Sequence, residues 1–397
     1  MKILYITPRL PFPPTKGDQL RSYNQLKGLK RLGHDIHLIS FSNNKTIPYE
    51  LELLCKNISV VPLNKLEAIK NFLLSLYKRM PLQVSLYLSK EFEQTIHKAI
   101  QMNKYDIVHN QLVRTLPYYS VIKDIPNVMD FVDSISLNLN RRIALKKSFL
   151  NMLFKYEASK IYEMEKQAAS CYDGGIFISD VDKGTIDANN DAVTTIPNGV
   201  DINYFTYHPQ LTEENTLIFV GNMSYEPNRE AVKYFVTKIF PLIESEIDNL
   251  TFYIVGRKPT KDLIRLCKKH KNIIITGEVP DIRDYLAKAK LFVCPMQSGA
   301  GLQNKVLEAM AAGIPVITTP IVNEPIKAVN HKTILVRDGE TDFAKGMIEI
   351  LSNDSKLEEI RHAAREFIEM NYQWHHLHHQ LEKFYVNTIN RLSMTRT

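Results

Sequence analysis

Cysteine is scarce in this 397-residue chain. The four present, Cys55, Cys171, Cys267 and Cys294, are widely separated. No C-x-x-C pair occurs, which excludes a zinc knuckle and a thioredoxin-like motif, and reduced structural thiols are expected. There is one tryptophan. No apolar run reaches the ~18 residues that a membrane span needs. The opening MKILYITPRLPFPP has too short an apolar part for a secretory signal before its prolines begin, so a first buried strand and a cytoplasmic protein are expected. Low-complexity tracts, heptads and solenoid repeats are also missing. The first glycine loop contains no G-x-G-x-x-G, which argues against a dinucleotide-dependent dehydrogenase. Charge of one sign is only mildly in excess, with 50 Lys+Arg against 43 Asp+Glu and a net charge of +7. Spread over this length, that surplus does not point to nucleic acid.

What is present is a near-average globular composition, 44% apolar and 23% charged, long enough for two or three domains. Short β-rich runs alternate with longer helical patterns. The first block has strand patterns at 2–7, 35–42, 57–63, 105–110, 127–132 and 174–179, with helical patterns at 18–32, 64–79, 89–103 and 134–169. The pattern breaks at PNGVDINYF (197–205). It restarts with strands at 216–221, 251–256, 272–277, 290–295, 314–319 and 333–338. Strands separated by helices imply a parallel sheet covered on both faces. The expected fold class is therefore α/β, with two Rossmann-like doubly wound domains. The divisions are 1–190, 191–370 and a helical segment 371–397 that can pack on either domain.

In such sheets ligands bind beyond the carboxyl ends of the strands. Gly17 stands after the first strand and before a helix, where backbone amides can approach an anion. The richest stretch is KLFVCPMQSGAGLQNKVLEAMAAGIPVITT (290–319). A strand ends, a small-residue loop follows with Gly299, Ala300, Gly301 and Leu302, and a helix begins, which is the local requirement for a phosphate cradle. Lys305 in the first turn is unfavourable with the helix dipole unless an anion is bound. Glu308 lies on an otherwise apolar helix, and a carboxylate there needs a partner such as a pair of sugar hydroxyls. His109 ends a strand and can be structural or functional. Asp133 follows another strand and can line a site or cap a helix, with Ser134 the favoured cap. In WHHLHH (374–379) no acidic residue or cysteine stands at a matching offset, so no metal site is expected. Two basic amphipathic segments, 65–80 and 141–160, suit either an anionic lipid surface or a packed surface helix.

KVLEAMAAGIPVITT resembles the signature of the group 1 (family 4) glycosyltransferases of GT-B fold. IPNGVDINYF, LIFVGNMSYEPNREAVKYF, YIVGRKP, ITGEVPDIRDYLAKAKLFVCP and KILYITPRLPFPPTKGDQLRS resemble that family's other segments in its order. NKVLEAM and the PN of EPNRE are most similar to the exopolysaccharide branch. The resemblance implies two domains with a cleft between them. It implies a retaining hexosyl transfer from a nucleoside diphosphate sugar to a polysaccharide or lipid-linked acceptor in cell-surface polysaccharide synthesis. No metal or other cofactor is implied.

By the same resemblance Glu308 would hold the donor ribose, and Val279 and Pro280 the base. Gly17, Gly299, Ala300, Gly301 and Leu302 would present amides to the donor. Asn222 and Arg229 occupy the loop where the family carries an Arg and a Lys, and Arg229 with Lys305 would supply the positive charge. Ala300 stands where the family has its first glutamate, eight residues before Glu308. His109 and Asp133 are the catalytic candidates. Alternatives with the same fold are a nucleotide-sugar-binding accessory subunit, or a sugar epimerase or phosphorylase.

Overall fold

The computed structural model describes residues 1–44, 46–78, 80–145, 151–186, 191–299 and 301–395. They divide into two compact units, Met1–Asn198 with Trp374–Thr397, and Gly199–Gln373.

The first unit is built on a seven-stranded sheet of β1 (Lys2–Thr7), β2 (Asp35–Phe41), β3 (Asn57–Val61), β4 (Ile107–Gln111), β5 (Asn127–Val132), β6 (Gly174–Phe177) and β7 (Val193–Thr195). Their order is β3-β2-β1-β4-β5-β6-β7, and every pairing is parallel. The strands read as apolar runs because both faces are covered. Side chains alternate between faces. Leu4 and Ile6 join one core, with Phe92, Met129 and Phe177. Ile3 and Tyr5 join the other, with Leu26, Leu29 and Leu38. β7 has no counterpart in the sequence patterns, since three residues are too few to show a period.

The second unit carries six parallel strands, β8 (Thr216–Val220), β9 (Thr251–Val255), β10 (Ile273–Gly277), β11 (Leu291–Cys294), β12 (Val316–Thr318) and β13 (Leu335–Val336). Their order is β10-β9-β8-β11-β12-β13. In each sheet the order reverses beside the first strand, the switch point at which doubly wound folds bind ligands.

Three local expectations change. The pattern at 134–169 appears as helices Ile135–Leu145 and Asn151–Cys171, which pack on each other. The chain ends in the helices Asp354–Asn371 and Trp374–Thr395, of which the second covers most of the expected segment 371–397. The last of these belongs to the first unit and is not a segment of its own. Leu377, Leu381 and Tyr385, one stripe at four-residue spacing, enter the core that holds Ile3 and Tyr5. The unit boundary falls between Asn198 and Gly199, within the PNG turn, whereas the sequence division was drawn at 190/191.

Candidate active site

Asn222, Arg229, Val279, Gly299, Gly301, Leu302, Lys305 and Glu308 all lie beyond the carboxyl ends of strands in the second sheet. The loop after β11 needs glycine twice. Gly299 has φ +128 and Gly301 φ +67, both in the region that side chains avoid. Ala300 lies outside the described residues. Leu302 is buried and pins the loop. The helix Asn304–Ala311 then begins, and no side chain caps it at Gln303. Its first amides are the kind that an anion can satisfy.

Lys305 is held in place from three sides. Its ammonium donates to Asn228 Oδ1, lies 3.5 Å from Met296 Sδ and sits 4.8 Å over the Phe219 ring. Burial lowers its pKa. Asn228 is itself set by donating from Nδ2 to the Asn222 carbonyl at 3.1 Å. Asn222 closes a tight turn, its Oδ1 accepting from Ser224 N at 3.0 Å and Ser224 Oγ at 2.8 Å. The loops after β8 and β11 are thus tied together through Asn228, a residue that sequence reasoning quoted in EPNRE without assigning it a role. Gly221 and Gly256 let the loops after β8 and β9 approach, for a Cβ at Gly256 would stand 1.9 Å from the Gly221 carbonyl oxygen.

Glu308 follows Lys305 by one helical turn. Burial pushes its carboxyl up to about 7, against the opposing pull of Lys305. Among the described residues it has no hydrogen-bond partner. Arg229, half-buried in the helix Glu226–Tyr234, likewise makes no side-chain hydrogen bond or ion pair among them. A carboxyl and a guanidinium without hydrogen-bond partners among the described residues, beside an anchored ammonium and a helix N-terminus, can receive a ligand that bears hydroxyls and phosphates. Val279 is half-buried and Pro280 exposed after β10, two strands from β8.

The profile of the group 1 glycosyl transferases matches residues 214–353, the stretch that contains all of these groups. This part of the chain is similar to the group 1 glycosyltransferases. It is 25% identical over 391 residues to a 44.6 kDa protein of the Klebsiella pneumoniae cps region, covering 94% of this chain and 96% of that protein. It is 26% identical over 256 residues to the capsular polysaccharide biosynthesis glycosyltransferase CapM of Staphylococcus aureus, over 58% of this chain and 66% of CapM. The Anabaena protein HepE, solved in complex with UDP and glucose, has a similar GT-B fold. Its TM-score is 0.67 at 14% identity, covering 96% of this chain and 98% of that one.

The transferase's other candidates lie in the first unit. Gly17 opens the helix Gly17–Arg31 and is exposed, with nothing near enough to meet a Cβ. His109 is fully enclosed in β4. It stacks on Tyr5 at 4.2 Å between centroids, and its Nδ1 is 2.7 Å from the Tyr385 hydroxyl. Burial lowers its pKa to about 4, so the imidazole is neutral. The structure places His109 inside the first unit, packed between Tyr5 and Tyr385, with its Nε2 buried and without a hydrogen-bond partner among the described residues. A strand-end position on the chain does not tell an inward side chain from one at the rim.

Asp133 sits half-buried beyond β5. Burial, then the Asp182 carboxylate, raise its pKa to about 6, while Asn138 Nδ2 donates to it at 2.8 Å. Ser134 caps the next helix, its Oγ accepting from Leu137 N at 3.2 Å. Glu165, unremarked in the sequence, reinforces that cap by accepting from Ile135 N at 2.8 Å. The triplet Asp180-Val181-Asp182, directly after β6, is a D-x-D that sequence reasoning passed over. Its carboxylates serve different neighbours: Asp182 Oδ1 accepts from Ser134 N at 2.9 Å and Asp180 Oδ1 from Thr195 Oγ1 at 2.6 Å. In WHHLHH, His378 is buried against the helix Gly17–Arg31 and held near a pKa of 4 by burial. Cys55, Cys171, Cys267 and Cys294 are free thiols.

Proposed function

We propose that the enzyme transfers a hexosyl unit with retention from a nucleoside diphosphate sugar to a glycan or lipid-linked acceptor, in the synthesis of a capsule-type polysaccharide. The observation that carries this is Glu308, a half-buried carboxyl one turn from Lys305 that is pushed up to about 7 and has no hydrogen-bond partner among the described residues. A ribose diol donating to that carboxylate would satisfy it. CapM and the cps-region protein support the polysaccharide context, and the UDP and glucose held by HepE support the donor class.

The chemical problem is the charge that grows on the leaving diphosphate. Preorganised donors answer it: the amides of the Gly299–Leu302 loop, the first amides of the helix Asn304–Ala311, the Lys305 ammonium and the Arg229 guanidinium. These act without a divalent ion. In a same-face displacement the leaving phosphate takes the acceptor proton, so no protein nucleophile is required. Asp133, beyond the first sheet, is the acceptor-side candidate. A nucleotide-sugar donor goes with a cytoplasmic reaction.

Calorimetric titration of nucleoside diphosphates into wild type and Glu308→Gln tests the reading. Weakening by about five- to 150-fold, about 1–3 kcal/mol, is the expected result for a hydrogen bond to a charged group. Equal affinity removes Glu308 from the site.

A further inference from the structure

Three adjacent strands of the first unit end in a charged cluster that the donor site does not use. β1, β4 and β5 stand side by side, and the strand order reverses beside β1. Arg9 follows β1, Arg114 follows β4 and Asp133 follows β5, so all three sit where a doubly wound sheet takes a ligand. The backbone is strained at two points there. Leu112 has φ +64 and Val132 φ +66, in the region that bulky side chains avoid. Asp130 holds both, its carbonyl accepting from Leu112 N at 2.7 Å and its Oδ1 from Val132 N at 3.0 Å. Leu112 directly precedes the short helix Val113–Tyr118, which carries Arg114, and Val132 directly precedes Asp133. Strain of this kind collects where side chains must be aimed at a ligand.

The two guanidiniums meet around Tyr87. Arg114 lies 5.8 Å from the centre of the Tyr87 ring. Burial lowers the Arg9 pKa, and Asp18 and Tyr87 together more than offset it. Burial also lowers the pKa of Arg114; Tyr87 opposes the shift and the neighbouring Arg9 cation adds to it. Their partners are unequal. Arg9 Nη1 donates to Asp18 Oδ2 at 2.7 Å, and Gln111 Nε2 fixes that turn by donating to the Asp18 carbonyl at 2.8 Å. Arg114 forms no ion pair among the described residues; its Nη2 donates to the neutral Gln83 Oε1 at 2.7 Å. A guanidinium keeps its charge, and its fork matches a carboxylate or phosphate. A half-buried one without a carboxylate, beside a second cation, is short of negative charge. We infer that Arg114 and Arg9 form an acid-recognition subsite for the acceptor, which bears a carboxylate or phosphate that Arg114 takes on its fork. This rests on the transferase reading above and narrows its acceptor to an anionic class. Asp133, at the same rim, is left for a sugar hydroxyl.

Glucuronate, glucose 6-phosphate and glucose share a ring and differ at one carbon, so they test the charge alone. Each would be titrated into the full chain, saturated with nucleoside diphosphate, and followed by saturation-transfer NMR. At least one of the two acids should bind about tenfold tighter than glucose, and the tighter one tells a sugar carboxylate from a phosphate. Arg114→Gln should weaken the acid about tenfold and leave glucose unchanged, a difference that a merely structural role would not produce. Arg114→Lys should recover part of the loss, since it keeps the charge and lacks the fork. Should Arg114→Gln misfold, Arg9→Gln provides the readout, for the Arg9 side chain is 29% exposed. Equal affinity for the three sugars, no binding of either acid, or an undiminished preference in the arginine variants would overturn the inference. So would a matching loss of nucleoside diphosphate affinity in Arg114→Gln, which would place that residue on the donor. A loss of that affinity in Glu308→Gln alone bears only on the donor reading.

Discussion

Glu308 and Lys305 show how little a residue's type says about its state. Burial moves the carboxyl up to about 7 and the ammonium down, so each is driven toward neutrality. The sign of the pH effect follows. A carboxyl whose folded pKa is raised stabilises the fold fully below its unfolded value and loses that contribution as pH rises through about 7. The melting temperature of wild type relative to Glu308→Gln should therefore fall between pH 5 and pH 8, scales set by those two pKa values. Donor affinity should move oppositely, because ribose hydroxyls donate to the ionised form. It should rise through about pH 7 in wild type and stay flat in Glu308→Gln. Parallel pH profiles for the two proteins in both measurements would leave Glu308 without a titrating role. The residue type and spacing of this pair were legible in the sequence. The anchor on Asn228 was not, for it is 77 residues away along the chain.

At the scale of elements, the terminal helix was legible as a helix but not by its partner. Its place depends on Gly28 in the helix Gly17–Arg31. A Cβ there would stand 2.1 Å from the His378 ring. Replacing a helical glycine by alanine ordinarily gains up to ~1 kcal/mol. Here the overlap should outweigh that gain, since overpacking costs about 1–3 kcal/mol. Gly28→Ala is expected to lower the urea midpoint, and His378→Ala in the same chain to restore it. Additive losses in the double variant would mean that the two residues are not in contact. Strands β1, β2, β4 and β5 were readable as short β-rich runs between helical patterns. β7 was not, because its three residues owe their state to pairing with β6.

Across the whole molecule, the chain forms two compact units, each built on its own parallel sheet. The first is tied internally by Arg21 and Asp130, both fully buried at 2.6 Å. The same guanidinium donates to the Ile196 carbonyl at 2.9 Å and Asn198 Oδ1 at 3.1 Å, the last residues before the chain enters the second unit. Arg21→Met would leave the Asp130 carboxylate buried and unpaired, a loss of about 3–5 kcal/mol. Urea unfolding of that variant checks it, and a midpoint unchanged from wild type would show that the pair contributes nothing. Donor effects should be confined to the other unit. Nucleoside diphosphate at ~100 times its dissociation constant adds about 2.7 kcal/mol to whatever it binds. Calorimetry should show that increment in the transition of residues 199–373 and not in that of the first unit. Turnover is expected to survive a chelator after metal-free purification. Complete loss, restored by magnesium or manganese, would mean that amides and cations do not suffice.

The sequence by itself determined the two alternating blocks, the break at PNG and the glycine loop before the helix of Glu308. Those are local matters, settled by side-chain period, by the φ angles open to glycine and by residue identity. Tertiary structure alone decided that the terminal helix joins the first unit, that His109 is a packed neutral imidazole, that Lys305 leans on Asn228, and that Leu66, Ile69 and Leu73 are exposed. Each of these depends on neighbours supplied from distant parts of the chain, and burial, which sets both charge state and exposure, exists only once those neighbours have assembled.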